Sequence, residues 1–341
     1  MRNPYNNPLL MDSSWSETLQ KIGARIESGV VRDFGNASQE RQAARSSEIL
    51  ADLSHLAALR FSGEEAENFL QGQLSCDVKA IPQGGGSLGS YCTPKGRMLA
   101  SLTLLRDRNE FVMLLSASLA AAIQKRLAMF VLRSKVNIAN SGDSLVLIGL
   151  AGHACSGALA ASGALPAEVR TFAIAGGRLL LLVPLSAAAT TLTNLRACFK
   201  PVGSCAWQWI DISQGIPLIT AATQDQLIPQ MTNLELIGGV SFKKGCYPGQ
   251  EVVARTQYLG RVKRRMFRAH LEVEAAPGDT LFSDDLGAQA SGLVVNAQPA
   301  PDGGWDLLAV AQLGSHDSST VRLKAPDGPA LRFDPLPYEV T

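Results

Sequence analysis

The chain has 341 residues, 46% hydrophobic and 18% charged, with a formal net charge of +1. That length predicts two or three domains with ample apolar material for their cores, and the near-neutral charge argues against a generally nucleic-acid-binding or membrane-surface protein. Six cysteines with no C-x-x-C pair and four scattered histidines argue against a disulfide framework and against a protein-held zinc or iron–sulfur site, so no metal ligand is expected.

In chain order, residues 1 to about 14 are polar and read as disordered, with no signal-peptide core. Apolar positions 15, 19, 22 and 26 predict a helix over 15–27, and 29–35 reads as a short strand. A polar stretch, 36–47, follows. His55, isolated beside alternating apolar residues, reads as structural. A strand at 56–61 precedes a capping-box pattern at 62–65, which opens a helix through Leu70 that Gly72 can end. Strands are expected within 90–105, around a turn at 94–96, and at 111–115; a helix over 117–132 and a strand at 136–138 close the unit. A second unit repeats strand, helix, strand, helix at 145–150, 154–162, 178–183 and 187–199. From 266 onward, short alternating segments split by Pro-Gly, Asp-Gly and Gly-Gly turns read as an all-β unit. The expected fold class is α+β: two ferredoxin-like α+β layers plus a small C-terminal β-barrel. The expected boundaries are an N-terminal arm at 1–46, a first α+β domain at 47–140, a second at 141–265 and the barrel at 266–341. No apolar run is long enough to span a bilayer, so a cytoplasmic protein with no membrane partner is expected.

The densest chemistry lies in 241–255, Ser-Phe-Lys-Lys-Gly-Cys-Tyr-Pro-Gly-Gln-Glu-Val-Val-Ala-Arg. Residues 240–268 hold eight Lys/Arg and one acid, which points to an anion site or a solvated basic face. A helix from Pro248, closing at Gly260, is preferred over a type II turn at 247–250, because Val252, Val253 and the closing glycine continue it. Cys246 then lies just before a helix N-terminus beside Lys243 and Lys244, where charge and dipole favour a thiolate. An inert buried cysteine is the competing reading.

The run Lys244-Gly245-Cys246-Tyr247-x-Gly249-Gln250-Glu251 with Arg255 resembles the YgfZ family of folate-binding proteins, relatives of the glycine-cleavage aminomethyltransferase. The segments 71–78 and 228–234 resemble it as well. The resemblance implies an aminomethyltransferase-like, folate-binding architecture, with tetrahydrofolate or a one-carbon derivative as cofactor. It implies a role in iron–sulfur cluster assembly and maintenance of enzymes, including tRNA-modifying ones. Iron–sulfur proteins or assembly factors would be the partners, and tRNA an indirect one. Carried over by position, Cys246 and Lys244 are the catalytic candidates. Gln71, Gln73, Asn233, Tyr247, Gly249, Gln250, Glu251 and Arg255 are the cofactor-binding candidates.

The chain departs from the transferases in two places. Their adjacent aspartates fall on Ala100 and Ser101, neither of which can act as a carboxylate base. Their pterin-gripping acid falls on Ser213, with Gln214, Gln250 or Glu251 as possible substitutes. A folate-dependent aminomethyl transferase is therefore the disfavoured alternative. A second alternative is a direct tRNA binder using Arg261, Lys263, Arg264, Arg265 and Arg268, for which the sequence shows no aromatic stacking array.

Overall fold

Strand pairing gathers the predicted segments into three large sheets, in a computed structural model that describes residues 11–142, 144–258, 260 and 262–340. Residues 1–10 of the expected disordered arm, Leu259 near the expected helix end, and Arg261 lie outside the described residues.

The first sheet is antiparallel throughout, in the order Gly86–Cys92, Met98–Asp107, Glu110–Ser116, Leu56–Ser62, Asn137–Asn140. Without its edge strand Gly86–Cys92 it has the strand order of a ferredoxin-like layer, with helices Ala66–Gln71 and Ala120–Val131 as crossovers. Ile123 and Leu127, one helical turn apart, and Leu70 bury their side chains in its core. The expected capping box does not form. Ser62 ends a strand, and the Glu65 carboxylate accepts from Lys135 N at 2.6 Å instead.

The second sheet runs Arg170–Ile174, Arg178–Pro184, Leu145–Ala151, Ile49–Asp52, Lys200–Val202. Its fourth strand comes from the segment preceding the first layer. Ile49–Asp52 pairs antiparallel with Leu145–Ala151 and parallel with Lys200–Val202. All four of its residues are buried, as a strand covered on both faces requires. The third sheet is a six-stranded antiparallel half-barrel with Val321–Leu323 at one edge and Arg332–Asp334 at the other.

Among the elements not read in the sequence are helix Ala37–Ser46, strand Arg170–Ile174 and helix Ser204–Ser213; the helix expected over 15–27 ends at Lys21, and Arg25–Glu27 is a strand instead. Helix Ala37–Ser46 was read as a polar stretch. Asn36 caps it by accepting from Gln39 N at 3.0 Å. The buried Glu40 carboxylate accepts from the backbone N–H of Phe34, Asn36 and Gly203. A satisfied acid, not an apolar stripe, anchors this helix, so periodicity does not reveal it. Helix Ser204–Ser213 joins the units. A Cβ at Gly149 would lie 2.5 Å from the Trp207 ring, so only glycine lets the second sheet close on this helix. Trp209 Nε1 donates to Asp306 Oδ2 in the half-barrel at 2.7 Å.

His55 is structural in its burial. Both ring nitrogens are shut off from solvent without a partner among the described residues, although the residue as a whole is half-buried, and burial holds its pKa down at about 4. The unfolded chain protonates the ring near 6.5, so between that value and about 4 it binds the extra proton. Stability rises with pH across this window and is lost as pH falls through it, by up to about 3 kcal/mol from this residue. Urea titrations at pH 7.0 and 4.5 should show that loss in the wild type and much less of it in His55→Phe. An equal loss in both would refute the assignment.

Candidate functional site

The turn and the helix that compete in the sequence of the 241–255 motif are consecutive in the structure. Gln250 N donates to Tyr247 O at 3.1 Å and Gly249 has φ +84°, the signature of a type II turn, and the helix then runs Gln250–Tyr258. Pro248 is the turn's second residue, not the first of the helix as expected. A Cβ at Gly249 would lie 2.5 Å from Thr93 O and 2.7 Å from Gly96 Cα, so the motif turn rests directly on the 93–97 hairpin. Gly249 thus serves close packing of two backbones.

Lys244 was expected beside a thiolate at Cys246. Its ammonium instead turns inward, 8% exposed, and donates to the carbonyls of Gln71, Leu74 and Cys76 at 2.6, 2.6 and 2.9 Å. Burial pulls its pKa down to about 8, opposed by Cys76 and Asp77. Three carbonyls saturate all three ammonium donors. The Tyr247 ring lies 5.3 Å from the same ammonium, and its buried hydroxyl has no hydrogen-bond partner among the described residues.

Gln71 clamps the same loop, donating to Asp77 Oδ1 at 2.9 Å and accepting from Val78 N at 2.7 Å. Gln73 is half-buried with its carbonyl oxygen unpartnered. Asn233 is fully buried at φ +56° and donates to Met266 O at 2.7 Å, tying the 229–234 turn to the half-barrel. Gln250 is half-buried. The motif's outward half is Lys243, Gly245, Cys246, Glu251 and Arg255, all exposed. Glu251 and Arg255 lie one turn apart, as expected. Cys246 is the exposed cysteine; Cys76, Cys92 and Cys155 are buried, and Cys198 and Cys205 are half-buried. Its sulfur precedes a turn, not the helix N-terminus directly.

A separate cavity of about 320 Å³ lies between the two ferredoxin-like layers, walled by Leu88, Leu102, Ile174, Leu180, Trp207 and Leu218. None of the ten site residues expected from sequence lines it. Its charge comes from two residues that sequence reasoning missed, Asp211 and Arg178. Arg178 is 3% exposed, donates to Asp211 Oδ1 at 2.8 Å and to Ala175 O at 3.1 Å, and stacks 4.7 Å over Trp207. Burial pushes the Asp211 carboxyl up in pKa against the pull of Arg178, and 21% of its side chain remains open. The one signal in the sequence was a lone acid within Trp207, Trp209, Ile210 and Ile212. Ser213 bonds back to Ile210 O in its own helix, so Asp211, one position pair earlier, is the acid that faces the cavity.

The positions of the transferase carboxylates are filled otherwise. Ala100 is buried in the core. Ser101 Oγ donates to Pro217 O and accepts from Ile219 N, each at 2.9 Å. With that hydroxyl tied to the backbone, no general base stands at this wall. We therefore expect no ammonia release from an aminomethyl donor with this chain as transferase. Ammonia that depends on both the protein and tetrahydrofolate in a reconstituted assay would overturn this.

Among the described residues no group of three His, Cys, Asp or Glu side chains can hold a metal ion, and no helix is long and apolar enough to cross a membrane. The GCVT N-terminal domain model matches residues 26–173. The solved glycine cleavage system aminomethyltransferase T from Bartonella henselae has a similar fold, with a TM-score of 0.77 over 95% of this chain and 97% of that one, at 18% identity. The tRNA-modifying protein YgfZ of Edwardsiella ictaluri (strain 93-146) is 33% identical over 299 residues, 82% of this chain and 89% of that protein. Its counterpart from Klebsiella pneumoniae (strain 342) is 32% identical over 319 residues, 89% of this chain and 96% of that one. With this identity spread along nearly its whole length, the chain belongs to the YgfZ family.

Proposed function

We propose that the chain binds a reduced folate in the cavity between its two layers and supports iron–sulfur enzymes that modify tRNA, with Cys246 as its reactive group. The observation that carries the folate reading is Asp211. One carboxylate oxygen is held by Arg178, and the open part of the side chain faces a largely apolar chamber. A carboxylate so placed accepts from adjacent N–H donors, such as those on the amino-pyrimidinone edge of a pterin. The Leu and Ile walls suit the flat ring system. About 320 Å³ is at the lower end of small-molecule sites, so a glutamate tail would remain outside. A bound tetrahydrofolate would supply a carrier for one-carbon units. The chain's own residues bind and orient it, and Ala100 and Ser101 leave the positions of the transferase aspartates without a carboxylate base.

Kinship to proteins named for tRNA modification supports the second half of the reading, as does the solvent-facing thiol on a fixed turn. Lys244 acts there as a positioning residue, through the 71–76 loop. The test is calorimetric titration of the purified chain with tetrahydrofolate. Asp211→Asn, nearly isosteric, should weaken binding about 10- to 100-fold, the scale of a charged hydrogen bond. Absence of binding by the wild type, or equal affinity in the variant, would sink the folate reading.

A further inference from the structure

The fold sorts the positive charge of the 240–268 region into two kinds. In the half-barrel strand Arg264–Leu271 two of its three arginines are paired, Arg265 with Glu235 in the interior and Arg268 with Asp334, and nearby Arg322 and Lys324 pair with Asp284 and Asp279. Two of the five cations first read as an RNA contact set are thus committed to carboxylates, and Arg261 is outside the described residues. Around the motif helix the situation is reversed. Lys95, Arg97, Lys243, Arg255 and Lys263 are exposed, and none is ion-paired among the described residues. The exposed acids among them are Glu251 and Asp225.

These cations belong to one surface. The hairpin that carries Lys95 and Arg97 rests on the motif turn, and a Cβ at Gly96 would meet Val252 of the motif helix at 3.0 Å. Arg255 stands on the outer face of that helix. Lys243 follows Phe242, whose ring meets Tyr258 edge-on at 5.9 Å. Lys263 borders an open groove shared with Thr256, Gln257 and Gln312. Tyr258, held by Phe242, leaves 68% of its surface in solvent amid these charges. Cys246 lies in the same motif, exposed.

A face of unpaired cations around one supported, exposed ring fits a polyanion with bases free to stack. Phosphates displace counterions from the cations, and an unpaired base on an aromatic ring contributes about 1–3 kcal/mol. The side-chain amides of Gln257 and Gln312 offer both donors and acceptors in the adjoining groove. An acidic protein would satisfy the cations but make no particular use of the ring or the amides. We infer that the Cys246 face docks structured RNA directly, with phosphates on Lys95, Arg97, Lys243, Arg255 and Lys263 and an unpaired base on Tyr258. This deepens the tRNA half of the function proposed above and is independent of its folate half.

The test is fluorescence anisotropy of labelled bulk tRNA with the full-length chain, without folate, at 50–300 mM KCl. Wild type should bind with a log K that falls with log salt at a slope of about −3.5 to −4.5, for five contacts. The triple variant Lys95→Glu, Lys243→Glu, Lys263→Glu should bind at least about tenfold more weakly, with a slope shallower by about 2 to 3. Tyr258→Ala should lose about 5- to 100-fold with its slope unchanged. Lys200→Glu, an exposed cation on the second layer, controls for net charge, and thermal midpoints verify folding of every variant. The inference is overturned if tRNA does not bind, if the triple variant stays within twofold of wild type, or if Lys200→Glu has the same effect as the triple variant. Binding of an acidic peptide without binding of tRNA would assign the face to an acidic protein and overturn it too. Because this measurement omits folate, its failure and that of the calorimetric titration are told apart.

Discussion

Replacing Lys244 with methionine is expected to lower stability by about 3–5 kcal/mol, read from urea unfolding at pH 7. Methionine matches the lysine stem in length and leaves little void. What it removes is the partner of the Gln71, Leu74 and Cys76 carbonyls at once. Each buried acceptor left unsatisfied costs about 1–3 kcal/mol, and partial entry of water keeps the total below the sum. Arginine should not restore the loss, because a planar guanidinium cannot aim three donors at carbonyls gathered around one point. A loss under 1 kcal/mol would show that the loop finds other partners. The expected result carries a warning for functional assays: an inactive Lys244 variant reports on the scaffold first, so activity is to be compared only at matched folded fraction.

Cys246→Ser should behave in the opposite way, folding normally while support of the iron–sulfur, tRNA-modifying enzymes falls about tenfold or more in a complementation assay. The side chain is exposed, so the oxygen-for-sulfur change disturbs no packing. Four of the other five cysteines are poor competitors for an alkylating reagent near neutral pH, and the fifth, Cys198, is half-buried. Burial pushes the thiols of Cys76 and Cys155 up to about 11 and that of Cys92 up to about 12, and Cys205 is raised as well. A thiol at about 11 holds roughly one part in ten thousand as thiolate at pH 7. Mass-spectrometric labelling with iodoacetamide across a pH series should therefore find Cys246 modified first. Labelling no faster than Cys76, together with full complementation by Cys246→Ser, would make the cysteine an ordinary surface residue.

The family and the main layers were legible because their signals are contiguous. The 244–255 motif occupies one turn and one helix, and three strands of the first layer, Gly86–Cys92, Met98–Asp107 and Glu110–Ser116, follow each other at hairpin spacing. What stayed hidden depends on distant partners. Lys244 reads as a catalytic cation until its three acceptors, some 170 residues earlier, are seen around it. Asp211 reads as a stray acid until Arg178 arrives from a strand of the second sheet. Ile49–Asp52 has no local feature that says it will leave its neighbours and enter that sheet between Leu145–Ala151 and Lys200–Val202. Glu40 hides a helix because its partners are backbone N–H groups, which carry no residue identity. The separation of the motif from the cavity is likewise a property of the fold alone.

Helix Ser204–Ser213 also makes the molecule its own optical reporter. Of the four tryptophans, Trp207 lines the cavity and Trp209 bonds the half-barrel, two residues apart on one helix. The other two, Trp15 on Asp52 and Trp305 in the half-barrel, sit away from the cavity lining. Intrinsic emission from Trp207 will therefore respond to anything that enters the chamber or shifts Arg178 from its ring. Emission from Trp209 will respond to separation of the half-barrel from the helix. Single Trp→Phe variants at 207 and 209 split these two signals, so loading of the chamber and loosening of the half-barrel can be timed separately in one cuvette, with no attached dye.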